Sequence, residues 1–404
     1  MTRIARVTIP WSPRLQAYNP SDDGERPLRR GLAWDLLGQL GMLDAPSTQV
    51  VDPPRMTDED LARVHAPAYI ATVRRYSATP QLALTMEASQ WGFIPGQDTV
   101  ARAGMHEAAA DVCGASVEGA RAVWEGGPGS RAFCPAPSGL HHAFANKASG
   151  FCVYNDCALA IAWLLDAGAE RVAYVDLDAH HGNGVQWIFH DDPRVLTVSV
   201  HEFAYGFYPG TGDVTERGPV STPDTTVNVP LPPFAGDVPM LAAVERVVEP
   251  AVRAFDPDVL VVHLGADVHH ADPLTHLQMT MAGMEEMYRR VVALADEACE
   301  GRLINTAGGG YNPATLGRLW ALQLGAMAAG SEGSVAAGDP AGDSHPYPGD
   351  ALPASWQDAV RTTLGQEPPG LLREDAGPEW DAHQRAEGDR VGLENVARAE
   401  ALLG

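Results

Sequence analysis

Short runs of aliphatic residues alternate with helical patterns along most of the chain. Each run is almost continuously apolar and rich in valine, which is typical of strands buried on both faces of a parallel sheet. Between the runs, apolar residues recur at the spacing of amphipathic helices. The pattern predicts an α/β fold: one three-layer α/β/α domain with a mainly parallel central sheet. The predicted strands are RIARVTI at 3–9, RVAYVDLD at 171–178, RVLTVSV at 194–200, DVLVVHLGAD at 258–267 and RLINTAGGGY at 302–311.

Three polar segments directly follow predicted strands: DLDAHHGNG, GADVHHADPL and GGGY. In open α/β sheets, ligands bind in the crevice beyond the carboxyl ends of the strands. We therefore expect these separate loops to meet at one crevice. The helical patterns cover about 28–42, 58–76, 99–124, 156–167, 239–254, 279–299 and 313–329.

The composition changes from about residue 331. GSEGSVAAGDPAGDSHPYPGD is poor in apolar residues and rich in Gly, Pro and Asp, which is typical of a linker or a long surface loop. Two weak helical patterns follow, around 354–364 and 384–402. We expect a main domain over residues 1–330, followed over 331–404 by an acidic Gly/Pro-rich linker and a helical appendage.

The net charge argues against several classes of partner. Lys and Arg total 28 against 52 Asp and Glu, so the formal charge is -24, which argues against binding to nucleic acid or to an anionic membrane surface. Acidity also aids solubility. The five cysteines form no CxxC pair, and no stretch is long and apolar enough to cross a bilayer. These features predict a soluble protein of the reducing cytoplasm.

The segment YVDLDAHHGNG, residues 174–184, contains the first candidate metal ligands. Alternate residues of a strand face the same way, so Asp176, Asp178 and His180 should converge. Neighbouring carboxylates repel each other, and a divalent cation removes that penalty. One histidine with carboxylates suits zinc or ferrous iron with an open coordination position. Asp267, at the end of its own strand, is the expected further carboxylate.

A pair of histidines marks a second candidate segment, SGLHHAF, followed by GFCVYND. In a loop, His141 and His142 can both face a cavity, where they could act as base and acid near neutral pH. Structural histidines are the commoner interpretation of an isolated pair. Here the pair lies in a glycine-bounded segment that also contains the aromatic Phe151, which favours a functional role.

The third candidate segment is AGGGYNP at 307–313. Three glycines let the backbone pass close to a ligand while Tyr311 projects inward. A phenol can donate a hydrogen bond to a carbonyl oxygen that becomes an oxyanion. Taken by itself, GGGY is also consistent with a plain tight turn.

Together these segments resemble the histone deacetylase superfamily, and within it the bacterial acetoin-utilisation deacetylases, which have the arginase/deacetylase fold. The resemblance extends from about residue 15 to about residue 330. Its motifs occur in the family's order and at similar spacings. They are SGLHHAF, GFCVYND, YVDLDAHHGNGVQ, SVHEFAYGFYPGTGD, GADVHHADPLTHLQMT and NTAGGGY.

The resemblance implies a metal-dependent amidohydrolase, with zinc or ferrous iron, that removes acetyl or related short acyl groups from lysine side chains. The partner would be an acetylated lysine in a protein or peptide, or an acetylated polyamine. Each candidate residue takes a role by its match to a family motif. The metal ligands are Asp178, His180 and Asp267; the tandem catalytic histidines are His141 and His142; Tyr311 polarises the substrate carbonyl; and Asp176 orients His141.

Further residues match positions around this centre. Asn183 should orient His142, and its amide supports a charged imidazole less well than a carboxylate would, which predicts a less basic His142. His269 and His270 share a loop with Asp267, but the resemblance gives them no role. A structural K⁺ or Na⁺ site matches Asp176, Asp178, His180, Ser199 and Val200, and the substrate channel matches Gly150, Phe151, Phe207 and Tyr208.

Three alternatives remain open at this stage. One is an acetylpolyamine amidohydrolase, which the acidic charge suits as well as it suits a lysine-rich peptide. Another is a binuclear manganese ureohydrolase of the arginase type, which would need additional bridging carboxylates near Asp267. The third is a catalytically silent module that binds acyl-lysine. Such a module has no need for metal ligands, tandem histidines and a tyrosine together.

Overall fold

The computed structural model describes residues 6–19, 25–94, 98–135, 137–329, 349–365, 367–375, 377 and 382–403. These residues contain one sheet of parallel strands. The strands are β1 Arg6–Pro10, β2 Thr48–Val51, β3 Ser130–Pro135, β4 Val172–Asp176, β5 Val195–Glu202, β6 Thr226–Leu231, β7 Val259–His263 and β8 Leu303–Ala307. Their order across the sheet is β2-β1-β3-β8-β7-β4-β5-β6.

Helices lie on both faces of this sheet. Alternate residues of β7 enter two separate apolar clusters, Leu260 and Val262 on one face and Val259 and Val261 on the other. The predicted three-layer α/β/α fold is therefore confirmed. The helices are α1 Glu25–Gln39, α2 Asp58–Leu61, α3 Pro67–Ala78, α4 Met105–Gly126, α5 Asp156–Asp166, α6 Asn183–Phe189, α7 Asp237–Ala243, α8 Glu249–Phe255, α9 Met281–Ala298, α10 Pro313–Ala329, α11 Ala354–Leu364 and α12 Ala382–Glu400.

Three strands were not predicted, because their sequences lack a continuous apolar run. β2 is a four-residue edge strand, and its two central residues are exposed. β6, at the other edge, contains Asn228 and Pro230, and edge strands tolerate proline. β3 is central, yet it carries Arg131, whose guanidinium is buried and paired with Asp296 from α9. The buried Arg131 interrupts the apolar pattern of β3, and its partner Asp296 lies far along the chain. The sequence pattern therefore did not indicate a central strand there.

Three predicted strands also end earlier than expected. β4 ends at Asp176, β7 at His263 and β8 at Ala307, whereas the predictions ran to 178, 267 and 311. Asp178 and His180 therefore lie in the loop after β4 and not on a strand face. The polar ends of these segments are loops, and only their apolar parts join the sheet.

The described C-terminal segments pack on the main body. The Trp356 indole of α11 donates a 2.9 Å hydrogen bond to the Leu32 carbonyl of α1. α12 covers the edge strand β6, where Asn395 donates to the Pro230 carbonyl at 2.9 Å. Residues 330–348, which hold most of the predicted linker, lie outside the described residues. Among the described helices, none is both long and apolar enough to span a bilayer.

Candidate active site

Four loops at one edge of the sheet form the candidate site. They follow β3, β8, β7 and β4, which are neighbours in the sheet, so their carboxyl ends lie side by side. The loop after β3 contains the histidine pair, and the loop after β8 contains Tyr311. The loops after β7 and β4 contain the three expected metal ligands. The order of the strands thus brings together segments that lie far apart in the sequence.

Asp178, His180 and Asp267 converge at the centre of these loops. Their ligand atoms all lie within 4.8 Å of one another. His180 Nδ1 is 3.1 Å from Asp178 Oδ1 and 3.2 Å from Asp267 Oδ2. Both carboxylates are buried. One imidazole nitrogen and two carboxylate oxygens form a donor set that fits zinc or ferrous iron with a coordination position left open.

The electrostatics of these three residues also indicate a cation site. Burial by itself would lower the pKa of His180, but its hydrogen bonds to Asp178 and Asp267 raise that pKa well above the ordinary value. Burial and the nearby Asp178 charge raise the pKa of Asp267. Positive charge is therefore favoured between the two carboxylates, as a proton on His180 or as a divalent metal ion.

The two histidines beside this centre have different partners. His141 Nδ1 donates to Asp176 Oδ2 at 2.8 Å, and the same carboxylate oxygen accepts from the Tyr174 hydroxyl at 2.7 Å. His142 Nδ1 donates to the amide oxygen of Asn183 at 2.8 Å. The imidazole rings lie 3.9 Å apart between centroids. Each Nδ1 is engaged, so each Nε2 is left for chemistry in the crevice.

Burial makes His142 a weakly basic imidazole. It lowers the pKa of His142 well below the ordinary value, and the neighbouring His141 and His180 lower it further. The hydrogen bond to Asn183 acts in the opposite direction, because its oxygen favours the protonated ring. Desolvation is therefore the main cause of the lowered pKa. In the sequence analysis, the weak basicity of His142 is instead attributed to the Asn183 amide.

Tyr311 lines a cavity together with both catalytic-histidine candidates and Asp178. The Arg29 guanidinium lies over the Tyr311 ring, 4.5 Å from its centroid. Gly309, with a φ of 73°, runs so close to the metal centre that a Cβ there would lie 2.2 Å from Asp178 Oδ2. The glycine run thus allows the backbone before Tyr311 to pass against a metal-ligand candidate.

Aromatic residues surround the same centre. Of the four channel candidates, Gly150 and Phe151 line the cavity. Phe207 stacks on His180 with ring centroids 5.1 Å apart and an interplanar angle of 12°. Tyr208 packs edge-on against His142 at 4.9 Å. All four residues therefore lie near the histidines, at the positions expected for the wall of a narrow channel.

Three of the candidate monovalent-cation residues lie on adjacent strands, and the other two, Asp178 and His180, lie in the loop after β4. Asp176 on β4 is in register with Ser199 on β5, and Val200 follows it. Asp176 Oδ1 accepts a hydrogen bond from the Asp178 amide at 3.2 Å. Ser199 Oγ lies 2.9 Å from His201 Nδ1. The five residues assigned to this site by resemblance are thus neighbours around the end of β4.

His263 is a site residue that the sequence analysis missed. It is fully buried at the end of β7, with Nε2 3.2 Å from Asp178 Oδ2 and Nδ1 2.5 Å from the Thr306 carbonyl oxygen. Its ring lies 4.6 Å from that of His141. A polar residue inside the aliphatic run VLVVHL was the signal that could have identified it. His181, in contrast, bonds to Thr211 and Gln186, away from the ligand group.

Known proteins resemble most of this chain. A model of the histone deacetylase domain matches residues 24–327. The acetoin utilization protein AcuC of Bacillus subtilis strain 168 is 37% identical over 320 residues, 77% of this chain and 80% of the relative. AcuC of Staphylococcus xylosus is 36% identical over 285 residues, 70% of this chain and 72% of the relative. A probable deacetylase of Archaeoglobus fulgidus is 36% identical over 288 residues, 71% and 76% of the two chains.

Replacing Asn183 with aspartate should change the pH dependence of His142. A base works in its neutral form, and a carboxylate 2.8 Å from Nδ1 would stabilise the imidazolium. The acid limb of the kcat/KM profile should therefore move to higher pH, by about one unit or more. Asn183→Ser, which offers an uncharged acceptor, should leave the acid limb near its original pH. An unmoved limb in Asn183→Asp would show that His142 is not the titrating base.

Replacing His263 should weaken metal binding without removing a ligand. His263→Leu takes away the donor to Asp178 Oδ2, and loss of such a supporting contact typically lowers metal affinity about 10- to 100-fold. His263→Gln, which retains a side-chain donor, should keep more of the affinity. Competition with a chromogenic zinc chelator measures both variants. Equal affinity of His263→Leu and the unmodified chain would contradict this role.

Proposed function

The chain belongs to the histone deacetylase family, and we propose that it is a zinc-dependent deacetylase acting on acylated lysine side chains of proteins. The observation that carries the proposal is the convergence of three groups in one crevice. They are the ligand set centred on His180, the His141–His142 pair and the phenol of Tyr311. The products would be acetate, or a related short carboxylate, and the free amine.

Asp178, His180 and Asp267 would hold the metal, zinc or alternatively ferrous iron. When bound, such a metal polarises the amide carbonyl and increases the acidity of water. A structural K⁺ or Na⁺ would bind at a separate site around Asp176 and Ser199. For the zinc or iron site, the burial of Asp178 and Asp267 and the raised pKa of His180 support the binding of a metal ion among these three residues.

The histidines and the tyrosine would divide the remaining work. His142, which burial keeps neutral, would take a proton from the attacking water, while His141, held by Asp176, would stabilise charge nearby. A histidine then protonates the leaving amine. Tyr311 would donate a hydrogen bond to the carbonyl oxygen as negative charge develops there, an interaction worth roughly 3 kcal/mol in comparable sites.

The substrate proposal rests on the aromatic residues and on charge. Phe151 in the cavity and Phe207 on His180 would enclose the alkyl part of an acyl-lysine side chain. The formal charge of -24 favours cationic substrates. All five cysteines are free, which is typical of a reducing compartment such as the cytoplasm. An enzyme located there would encounter acetylated proteins. An acetylated polyamine shares this chemistry and is the second candidate.

A panel of substrates separates these candidates. Acetylated and longer-acyl lysine peptides and acetylpolyamines are assayed with zinc, ferrous and cobalt forms of the protein. The highest kcat/KM should be found for a lysine peptide. The opposite ranking would support the polyamine enzyme, and binding without turnover would support a silent module. One divalent metal ion per chain is expected, whereas two would favour the ureohydrolase.

Tyr311→Phe should lower kcat about 10²- to 10³-fold, because it removes one donor to the developing oxyanion. Folding should change little, since the aromatic ring and its contact with Arg29 are retained. Tyr205→Phe alters a fully exposed tyrosine and serves as the control with unchanged kcat. Turnover of an acetyl-lysine peptide measures the effect, and unchanged activity in Tyr311→Phe would remove that phenol from the mechanism.

A further inference from the structure

The loop after β7 carries two histidines that the proposed reaction does not use. His269 and His270 follow Asp267 by two and three residues, and their rings lie 4.3 Å apart. His269 is buried. Both Nε2 atoms are directed at one carboxylate, that of Asp375, which lies about a hundred residues later in the chain. A C-terminal side chain therefore reaches the loop that holds a metal-ligand candidate.

Asp375 connects this loop with the start of α9. Its Oδ1 accepts a hydrogen bond from His270 Nε2 and another from the Gly377 amide at 3.1 Å. Its Oδ2 accepts from the Met281 amide of α9 at 2.8 Å and lies 3.4 Å from His269 Nε2. Three hydrogen-bond donors from three parts of the chain thus surround one carboxylate, with His269 Nε2 close by.

Further contacts hold the segment around Asp375 in place. The guanidinium of Arg318, on α10, donates to the carbonyls of Leu372 and Glu374. Arg373 pairs with Glu285 of α9 through two hydrogen bonds of 2.9 Å. Leu372 is fully buried. The carboxylate is therefore presented to the histidines by a segment that is itself docked on α9 and α10.

The same loop also holds the backbone of Tyr311. Asp272 Oδ2 accepts a 2.6 Å hydrogen bond from the Tyr311 amide, and the Asn312 side chain donates to the Ala271 carbonyl at 2.8 Å. Within the loop, the Asp272 amide donates to the His269 carbonyl at 2.9 Å. The three glycines before Tyr311 provide no side chains to position it. Loop 269–272 therefore supplies hydrogen bonds that fix this segment, in addition to the contacts of Arg29 with the Tyr311 ring and the Gly310 carbonyl.

We propose that Asp375 is a positioning residue for Tyr311, acting through His269, His270 and Asp272. The C-terminal region, which the sequence presents as an appendage, would thus be part of the active-site framework. This inference rests on the proposed deacetylase function, because it assigns Asp375 to the geometry of that reaction.

The hydrogen-bond pattern favours this role over a second metal site. Two imidazoles and a carboxylate are also a donor set for zinc. However, His269 Nδ1 accepts a 3.1 Å hydrogen bond from the Ala271 amide, so in the neutral ring the hydrogen lies on Nε2, facing Asp375. Neither nitrogen of that ring then has a lone pair left for a metal ion.

Asp375→Asn tests the proposal, since the amide retains the size but places an NH₂ group among donors. We expect kcat on an acetyl-lysine peptide to fall about 10- to 100-fold, as for a small misplacement of a catalytic group, while KM changes little. Arg361→Ala is the control, because it removes exposed ion pairs of the C-terminal region, with Asp358 and Glu367, without touching the segment around Asp375 or loop 269–272. Its kcat should stay close to that of the unmodified chain.

A double variant shows whether Asp375 acts through the tyrosine. In the Tyr311→Phe background, Asp375→Asn should lower kcat by less than about twofold, because coupled residues are not additive. If Asp375→Asn lowered kcat as much in the Tyr311→Phe background as in the unmodified chain, the proposal would be overturned. Asp375→Glu, which retains the charge, should recover part of the kcat, and it remains informative if Asp375→Asn does not fold.

Hydrogen exchange provides a readout that needs no activity. Peptides covering residues 307–312 should exchange faster in Asp375→Asn than in the unmodified chain and in Arg361→Ala. Unchanged exchange there would overturn the proposal, and so would a second equivalent of zinc that is lost in Asp375→Asn. If the unmodified protein hydrolyses no acylated substrate, the proposed function fails, while this exchange still decides whether Asp375 holds the Tyr311 segment.

Discussion

Two buried carboxylates on neighbouring loops impose the central constraint on this structure. β4 and β7 are adjacent and parallel, so Asp178 and Asp267 meet just beyond their carboxyl ends, surrounded by apolar strands. Negative charges in such a setting must be compensated. His180 lies between them, and Gly265 and Gly309 allow backbone to pass where a Cβ would lie 2.3 and 2.2 Å from Asp178 Oδ2.

The histidines around this centre acquire distinct properties from their surroundings. His141 donates to a buried carboxylate and His142 to a neutral amide, although the two are adjacent in the chain. His263 approaches the same Asp178 from the sheet. Three identical side chains thus have different environments, and the differences arise from burial and from the partner of each ring.

The C-terminal region adds a second layer of support. Its docking on α9 and α10 places a carboxylate among the histidines of the loop after β7, and that loop in turn bonds to the backbone of Tyr311. Contacts at the far end of the chain therefore reach the crevice through a short series of hydrogen bonds. The glycine-rich turn has no side chains of its own to fix it, so these hydrogen bonds add to the close backbone packing that its glycines allow.

The sequence by itself determined the parallel α/β fold and the segments that form the crevice, because apolar runs and the polar residues that follow them are local signals. It also brought the histidine pair, the three ligand candidates and Tyr311 into one hypothesis through motif resemblance. Only the tertiary structure decided that β3 is a central strand despite Arg131, that His263 supports Asp178, and that His270 meets Asp375, 105 residues away. Those contacts and the burial that lowers the pKa of His142 depend on the path of the whole chain, which no local pattern encodes.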